Sequence, residues 1–135
     1  MFQNSVGAAG AAAIASAHLP ALEELTLSGN GCGAEGAAAV ARAAWPTLRS
    51  LRLNGNKIGD AGAAAVASAA WPLLSSIDLE ANEITDEGAV ALSKARWPSL
   101  EVGSFGLNRI SDAGAEALRG AKRDNWPKLY SCGCT

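Results

Sequence analysis

The sequence is short of the side chains from which most binding and catalytic sites are assembled. Aromatic residues make up 5% of its 135 residues while 49% are apolar, so the apolar mass is alanine and small aliphatics. A conventional core of large interlocking side chains is thereby excluded. There is one histidine, His18, and there are three cysteines, Cys32, Cys132 and Cys134; neither a Ser-His-Asp nor a Cys-His arrangement has a workable geometry from these. No glycine-rich loop runs from a buried strand into a Lys-Ser or Lys-Thr pair, which removes the phosphate-binding loop. The 11 Lys and Arg residues are scattered against 13 acidic ones, for a net charge of -2, leaving no electrostatic footprint for nucleic acid. Nothing runs apolar for about 18 residues without glycine or charge, so no helix is expected to span a membrane. These absences together point away from catalysis.

What the sequence does hold is repetition. Trp-Pro occurs at Trp45, Trp71, Trp97 and Trp126, with spacings of 26, 26 and 29, and Leu19-Pro20 stands one 26-residue step earlier. A period of this size means stacked units. The division is a partial repeat over 1–18, repeats over 19–44, 45–70, 71–96 and 97–125, and a partial repeat over 126–135, all in one domain. The three extra residues of the fourth repeat fall around "AKRDN", where a loop at the helix end tolerates insertion.

The columns read physically. Leu22, Leu48, Leu74, Leu100 and Leu129 align; three residues on stand Leu25, Leu51 and Ile77; two further on stand Leu27, Leu53, Leu79 and Phe105. That two-residue step is a strand with one buried face. An asparagine column follows at Asn4, Asn30, Asn56, Asn82 and Asn108, then Cys32, Ile58, Ile84 and Ile110. This L-x-x-L-x-L-x-x-N-x-I pattern resembles the leucine-rich repeat, and the helical second half resembles its ribonuclease-inhibitor-like class. The resemblance covers essentially the whole chain, although a 26-residue period is shorter than that class usually shows and overlaps the cysteine-containing class. It implies an α/β fold, a right-handed solenoid or horseshoe segment with a parallel sheet on the concave side and helices on the convex side. It also implies that the asparagines bond backbone groups in the turns and form a ladder.

The helices are expected to start at Gly33, Gly59, Thr85 and Ser111, with Asp60, Asp86 and Asp112 placed against the helix dipole. Gly62, Ala65, Val66 and Ala69 then form one helical face. Gly36, Ala39, Val40, Ala43 and Gly88, Ala91, Leu92, Ala95 repeat it. Such small residues let neighbouring helices approach closely. Upstream, Gly10, Ala13, Ile14 and Ala17 fall in the same columns, which explains "VGAAGAAAIASA" better than a signal peptide does, since a positively charged leader is missing. The tryptophans are expected to cover the end of the core. Gly103 stands where a leucine belongs, predicting a weak strand that Leu would strengthen.

His18 shares a solvated helix-end column with Ala44, Ala70, Arg96 and Lys122. The cysteines occupy apolar columns, and their odd number suits buried reduced thiols in a cytoplasmic, reducing compartment. A metal site at Cys132 and Cys134 would need a further ligand, and His18 lies about four strand spacings away, roughly 19 Å. No metal or cofactor is expected.

Function then falls to the concave face: Glu24, Thr26 and Ser28, then Ser50, Arg52 and Asn54, then Ser76, Asp78 and Glu80. Arg52 and Asp78 are expected to pair across strands. That pairing leaves Glu80 and Glu24 as the unmatched charges; the small acidic patch of Asp78 and Glu80 suits a basic partner, beside the blander reading of a merely solvated polar face. The reading is a non-catalytic protein-protein interaction module whose partner is a protein of unknown identity. The resemblance implies relatives that are mainly intracellular, among them ribonuclease inhibitors, NOD-like receptor sensor regions and Ran GTPase-activating proteins. Alternatives are a regulatory component of an enzyme system, GTPase-activator-like or a ubiquitin-ligase substrate arm, or a fragment of a longer array without its own activity. The absence of polar capping units points to a longer array or to self-association through uncapped ends.

Overall fold

A computed structural model describes residues 6–43 and 45–133, without the side chains of Lys122 and Arg123. Asn4, Ala44, Cys134 and Thr135 lie outside the described residues, as does the side chain of Lys122. Helix and strand alternate five times: α1 (Gly7–Ser16), β1 (Glu24–Thr26), α2 (Gly33–Arg42), β2 (Ser50–Arg52), α3 (Gly59–Ala67), β3 (Ser76–Asp78), α4 (Asp86–Ser93), β4 (Val102–Ser104), α5 (Asp112–Asp124) and β5 (Ser131–Gly133). The strands form one parallel sheet in chain order, β1-β2-β3-β4-β5. Consecutive helices pack on one another in the same order. The result is an α/β solenoid.

Register follows the sequence columns. Leu25 faces Leu51, Leu51 faces Ile77, Ile77 faces Gly103 and Gly103 faces Cys132. Each coil contributes a thin slice of core: Leu48, Leu51, Leu53 and Ile58 in one, Leu74, Ile77, Leu79 and Ile84 in the next, all essentially without solvent contact. No slice closes by itself, so the burial of each depends on the coil on either side.

The turn leaving each strand is built on its asparagine. Asn56 donates from Nδ2 to Leu27 O and Leu53 O, both at 2.8 Å, and its Oδ1 accepts from the N–H groups of Asn30 (2.9 Å) and Cys32 (3.2 Å). Asn82 and Asn108 repeat the pattern one and two coils on. Each of these asparagines therefore satisfies buried backbone groups of two coils at once. The chain needs left-handed residues to turn this tightly. Gly29 and Gly55 supply one of them at no steric cost, whereas Ala81 (φ 54°) and Leu107 (φ 55°) take the same place in later coils.

The helices bury the expected face, with Gly36, Ala39, Val40, Ala43, Gly62, Val66, Ala69, Gly88, Leu92 and Ala95 all buried, and one further alanine column beside it. Ala37, Ala63, Ala89 and Ala115, each fully buried, form the inner column, with Ala11 as its first member. Ala65 and Ala91 are only half-buried, and Ala13 and Ala17 are exposed. This face sets the glycine of α2, α3, α4 and α5 against the preceding helix. A methyl group at Gly62 would come within 3.3 Å of the Ala37 Cβ, and one at Gly114 within 3.2 Å of the Ala89 Cβ. Glycine is required there for close approach.

The helices start where the sequence column places them, at Gly33 and Gly59 and directly after Thr85 and Ser111, but the capping differs. Gly33 and Gly59 are left-handed first residues of α2 and α3, preceded by Cys32 and Ile58, and neither Thr85 nor Ser111 caps its own helix with its side chain. Asp60, Asp86 and Asp112 stand in the first turn of their own helices as expected, and the first two also act across coils. Asp60 accepts from the Thr85 N–H (2.7 Å), the Thr85 hydroxyl (2.6 Å) and the Gly88 N–H (3.0 Å) at the start of α4. Asp86 does the same for α5 through Ser111 N–H (2.7 Å) and hydroxyl (2.5 Å).

Three further expectations change. The insertion around "AKRDN" does not make a loop but lengthens α5 to 13 residues, and Asn125 beyond it donates to Ser93 O at 2.8 Å. Gly103 lies within β4 and leaves no vacant volume, because the Phe105 ring fills it; a Cβ at position 103 would sit 2.8 Å from that ring. Cys32 is a free buried thiol, its pKa pushed up by burial, but Cys132 is disulfide-bonded, against the reduced state expected for it.

Candidate functional site

Strand pairing in strict register sets the nine predicted face residues in three rows: Glu24, Ser50 and Ser76; Thr26, Arg52 and Asp78; and, just past the strand ends, Ser28, Asn54 and Glu80. The alternation of the strands turns them away from the leucine face. Glu24 and Arg52 are exposed, and Thr26, Ser50, Asn54, Ser76, Asp78 and Glu80 are half-buried. Ser28 is withdrawn: it is 6% exposed and donates its hydroxyl to Asn54 Oδ1 at 2.5 Å. That bond also occupies the Asn54 side chain, so this end of the lowest row is committed to structure.

Arg52 and Asp78 are register partners but form no ion pair. Asp78 Oδ1 accepts instead from the Glu80 N–H at 3.0 Å, a two-residue side-chain turn. The Asp78 carboxylate is thus fixed in place next to Glu80, without an ion-pair partner among the described residues. Arg52 is exposed and also has no ion pair among the described residues. Among the described residues the closest inter-coil ion pair is Arg49 with Glu23, at 3.4 Å and largely solvated, which contributes little.

The tryptophans, expected to cover the end of the core, are buried members of it. Trp71, Trp97 and Trp126 are at most 1% exposed, and each indole N–H donates to the backbone carbonyl that ends the preceding coil's helix segment: Ala43 (3.3 Å), Ala69 (3.3 Å) and Ala95 (3.0 Å). Trp126 also stacks between Trp97 and Phe105, at ring-centre distances of 5.9 Å each.

Beside Trp45 there is an open groove of about 590 Å³ lined by Ala15 to Pro20, Pro46, Ala70 and Pro72. Its signal in the sequence is the substitution of Leu19 for the tryptophan of later coils. His18 lies exposed on its wall. Among the described residues no three of His, Cys, Asp and Glu gather as metal ligands, and no helix is long and apolar enough to cross a membrane.

The family described as Leucine Rich repeat matches residues 18–41, 46–67, 72–93 and 104–118, more than half of the chain. None of the curated proteins matches. Among solved structures, one described as Leiomodin-1 Actin-Binding Site 2 (ABS2) is similar, with a TM-score of 0.74 and 17% identity over 91% of this chain and 76% of its own. At that identity the likeness is one of fold.

Proposed function

The chain belongs to the leucine-rich repeat family, and from that premise we propose that it is a non-catalytic protein-interaction module that meets its partner with the strand face. The observation that carries this reading is the Asp78 carboxylate, held by the Glu80 N–H and unpaired with Arg52 although Arg52 is its register partner. An oriented, uncompensated carboxylate beside a second one suits a basic group on a protein partner. The contact set is Glu24, Thr26, Ser50, Arg52, Ser76, Asp78 and Glu80, with Ser28 and Asn54 supporting it from below.

Helical outer elements of 8 to 13 residues support the ribonuclease-inhibitor-like class. The unit is one domain over 1–135 with the repeat division given above. Neither nucleic acid nor membrane is a partner in this reading, and self-association through the sheet ends is a secondary mode. A cytoplasmic location rests on the resemblance, since the cysteine argument for it is weakened by the disulfide at Cys132.

The test compares proteins captured from native lysate by the wild type and by the Asp78→Ala, Glu80→Ala double variant. Purified actin serves as a defined probe, because the similar solved structure is described as an actin-binding site. A partner held by the wild type and released by the variant, with unchanged thermal unfolding, supports the strand face. Equal capture by both, or by neither, contradicts it.

A further inference from the structure

Three tryptophans obey one rule and the fourth breaks it. The column that sends the indole N–H of Trp71, Trp97 and Trp126 to Ala43, Ala69 and Ala95 carbonyls would send that of Trp45 to Ala17 O. That bond is not made, and Trp45 Nε1 donates to no other atom of the described residues. Trp45 is nevertheless only 2% exposed. No wholly buried side-chain nitrogen or oxygen among the described residues lacks a partner, so Nε1 keeps a small solvent contact, and Trp45 is one of the residues that line the groove. A donor with so little room for water, set among apolar walls, is better served by an acceptor that fills the groove and excludes the rest of the water.

The groove's walls describe that acceptor. They are alanine, proline and Leu19, which is 38% exposed. Ser16 already donates its hydroxyl to Ala13 O at 2.9 Å. His18 is the one titratable side chain among the lining residues, and seating a charged group against the remaining walls would strip its water without recompense. In the other three coils the site beside the indole is occupied by a neutral peptide carbonyl belonging to an alanine.

We propose that this groove binds a short, uncharged, extended peptide segment with small apolar side chains, one backbone carbonyl of which accepts the Trp45 indole N–H. The ligand reproduces what the Ala43, Ala69 and Ala95 carbonyls do for the other indoles. Leu19, smaller than the tryptophan of later coils, leaves the volume it enters. None of the strand-face residues lines this groove, so the site is independent of the interaction face proposed above.

The indole region of a ¹H–¹⁵N spectrum tests it, with the Trp45 signal assigned through Trp45→Phe. In the free protein the Trp45 indole proton exchanges with solvent at least tenfold faster than the other three. Adding N-acetyl-Ala-Pro-Ala-Ala-amide shifts it downfield saturably and slows its exchange, leaving the other three in place, while N-acetyl-Glu-Pro-Glu-Ala-amide does not. Leu19→Asp, or Ala70→Glu should the first variant disturb the other indole signals, weakens the response at least tenfold. Three results overturn the proposal: a Trp45 proton as protected in the free protein as the others, meaning that α1 closes on it through Ala17; no response to the neutral peptide at millimolar concentration, the range of the weakest specific complexes; or an equal response to the acidic control.

Discussion

At the scale of single residues, the asparagines carry more than their size suggests. Asn82 is fully buried, donates to Leu53, Leu79 and Glu80 carbonyls and accepts from Asn56 and Ile58 N–H groups. Asn82→Ala leaves those backbone groups unpaired and is expected to cost about 3 kcal/mol or more in urea unfolding. Backbone strain gives the opposite sign at Leu107, which is 79% exposed and left-handed at φ 55°. Leu107→Gly should stabilise by about 1 kcal/mol, and Gly55→Ala, at φ 70°, should destabilise by a similar amount. Gly103→Leu reverses the expectation drawn from the leucine column: with the Phe105 ring already in that space, thermal unfolding should show a loss of about 1 to 3 kcal/mol from overpacking. The column position of Gly103 was legible, but its filling by a side chain two residues away was not, because a periodic pattern reports where a residue sits and not which neighbour leans into its place.

At the scale of elements, helix starts come in two kinds, and the choice is coupled between coils. Where a coil begins its helix with left-handed Gly59, the preceding coil has Ala34; where it begins with Thr85 or Ser111, the preceding coil supplies Asp60 or Asp86. Both members were visible in the sequence, 25 residues apart, but a dipole argument within one helix concealed that the carboxylate serves the next. The Ser111 hydroxyl, and after it the Ser111 N–H, hold the Asp86 carboxyl below the ordinary aspartate range. The folded pKa is lower than the unfolded one, so this contribution is complete at neutral pH, begins to fade as pH drops through the ordinary aspartate range and is gone below the folded pKa. Asp86→Asn should flatten the acid limb of a stability-versus-pH curve, and Ser111→Ala should raise the Asp86 pKa in a carboxyl NMR titration. The helix stripe illustrates a related limit. The face of α3 through Gly62, Val66 and Ala69 was legible, but glycine and alanine differ so little in hydrophobicity that the burial of Ala63 beside it, and not of Ala65, was not.

At the scale of the whole molecule, strand register, sheet order and the alternation of helix with strand were all legible, because one 26-residue step recurs in every column. The strand face was legible as a set of positions, since alternation fixes which side chains turn outward. Its charge pattern was not, because the Arg52 and Asp78 pairing competed with a local turn that only the backbone geometry at Glu80 reveals. The Trp45 groove depended on a bond that fails in one coil out of four, which no single-residue reading anticipates. A solenoid of interchangeable coils also predicts that removing 1–18, and with it α1, strips cover from α2 and lowers both the cooperativity and the midpoint of unfolding.

The idea that coils are joined by columns alone is tested most directly by excising residues 71–96, one full step, and following urea unfolding. Asp60 would then meet Ser111 as it now meets Thr85, and Asn56 would meet Asn108. The shortened chain should unfold in one cooperative transition with an m-value lower by roughly a fifth, in proportion to the surface it no longer buries, while excision of half a step, 84–96, should leave no cooperative transition. A full-step excision that does not fold, or a half-step excision that does, would contradict the account.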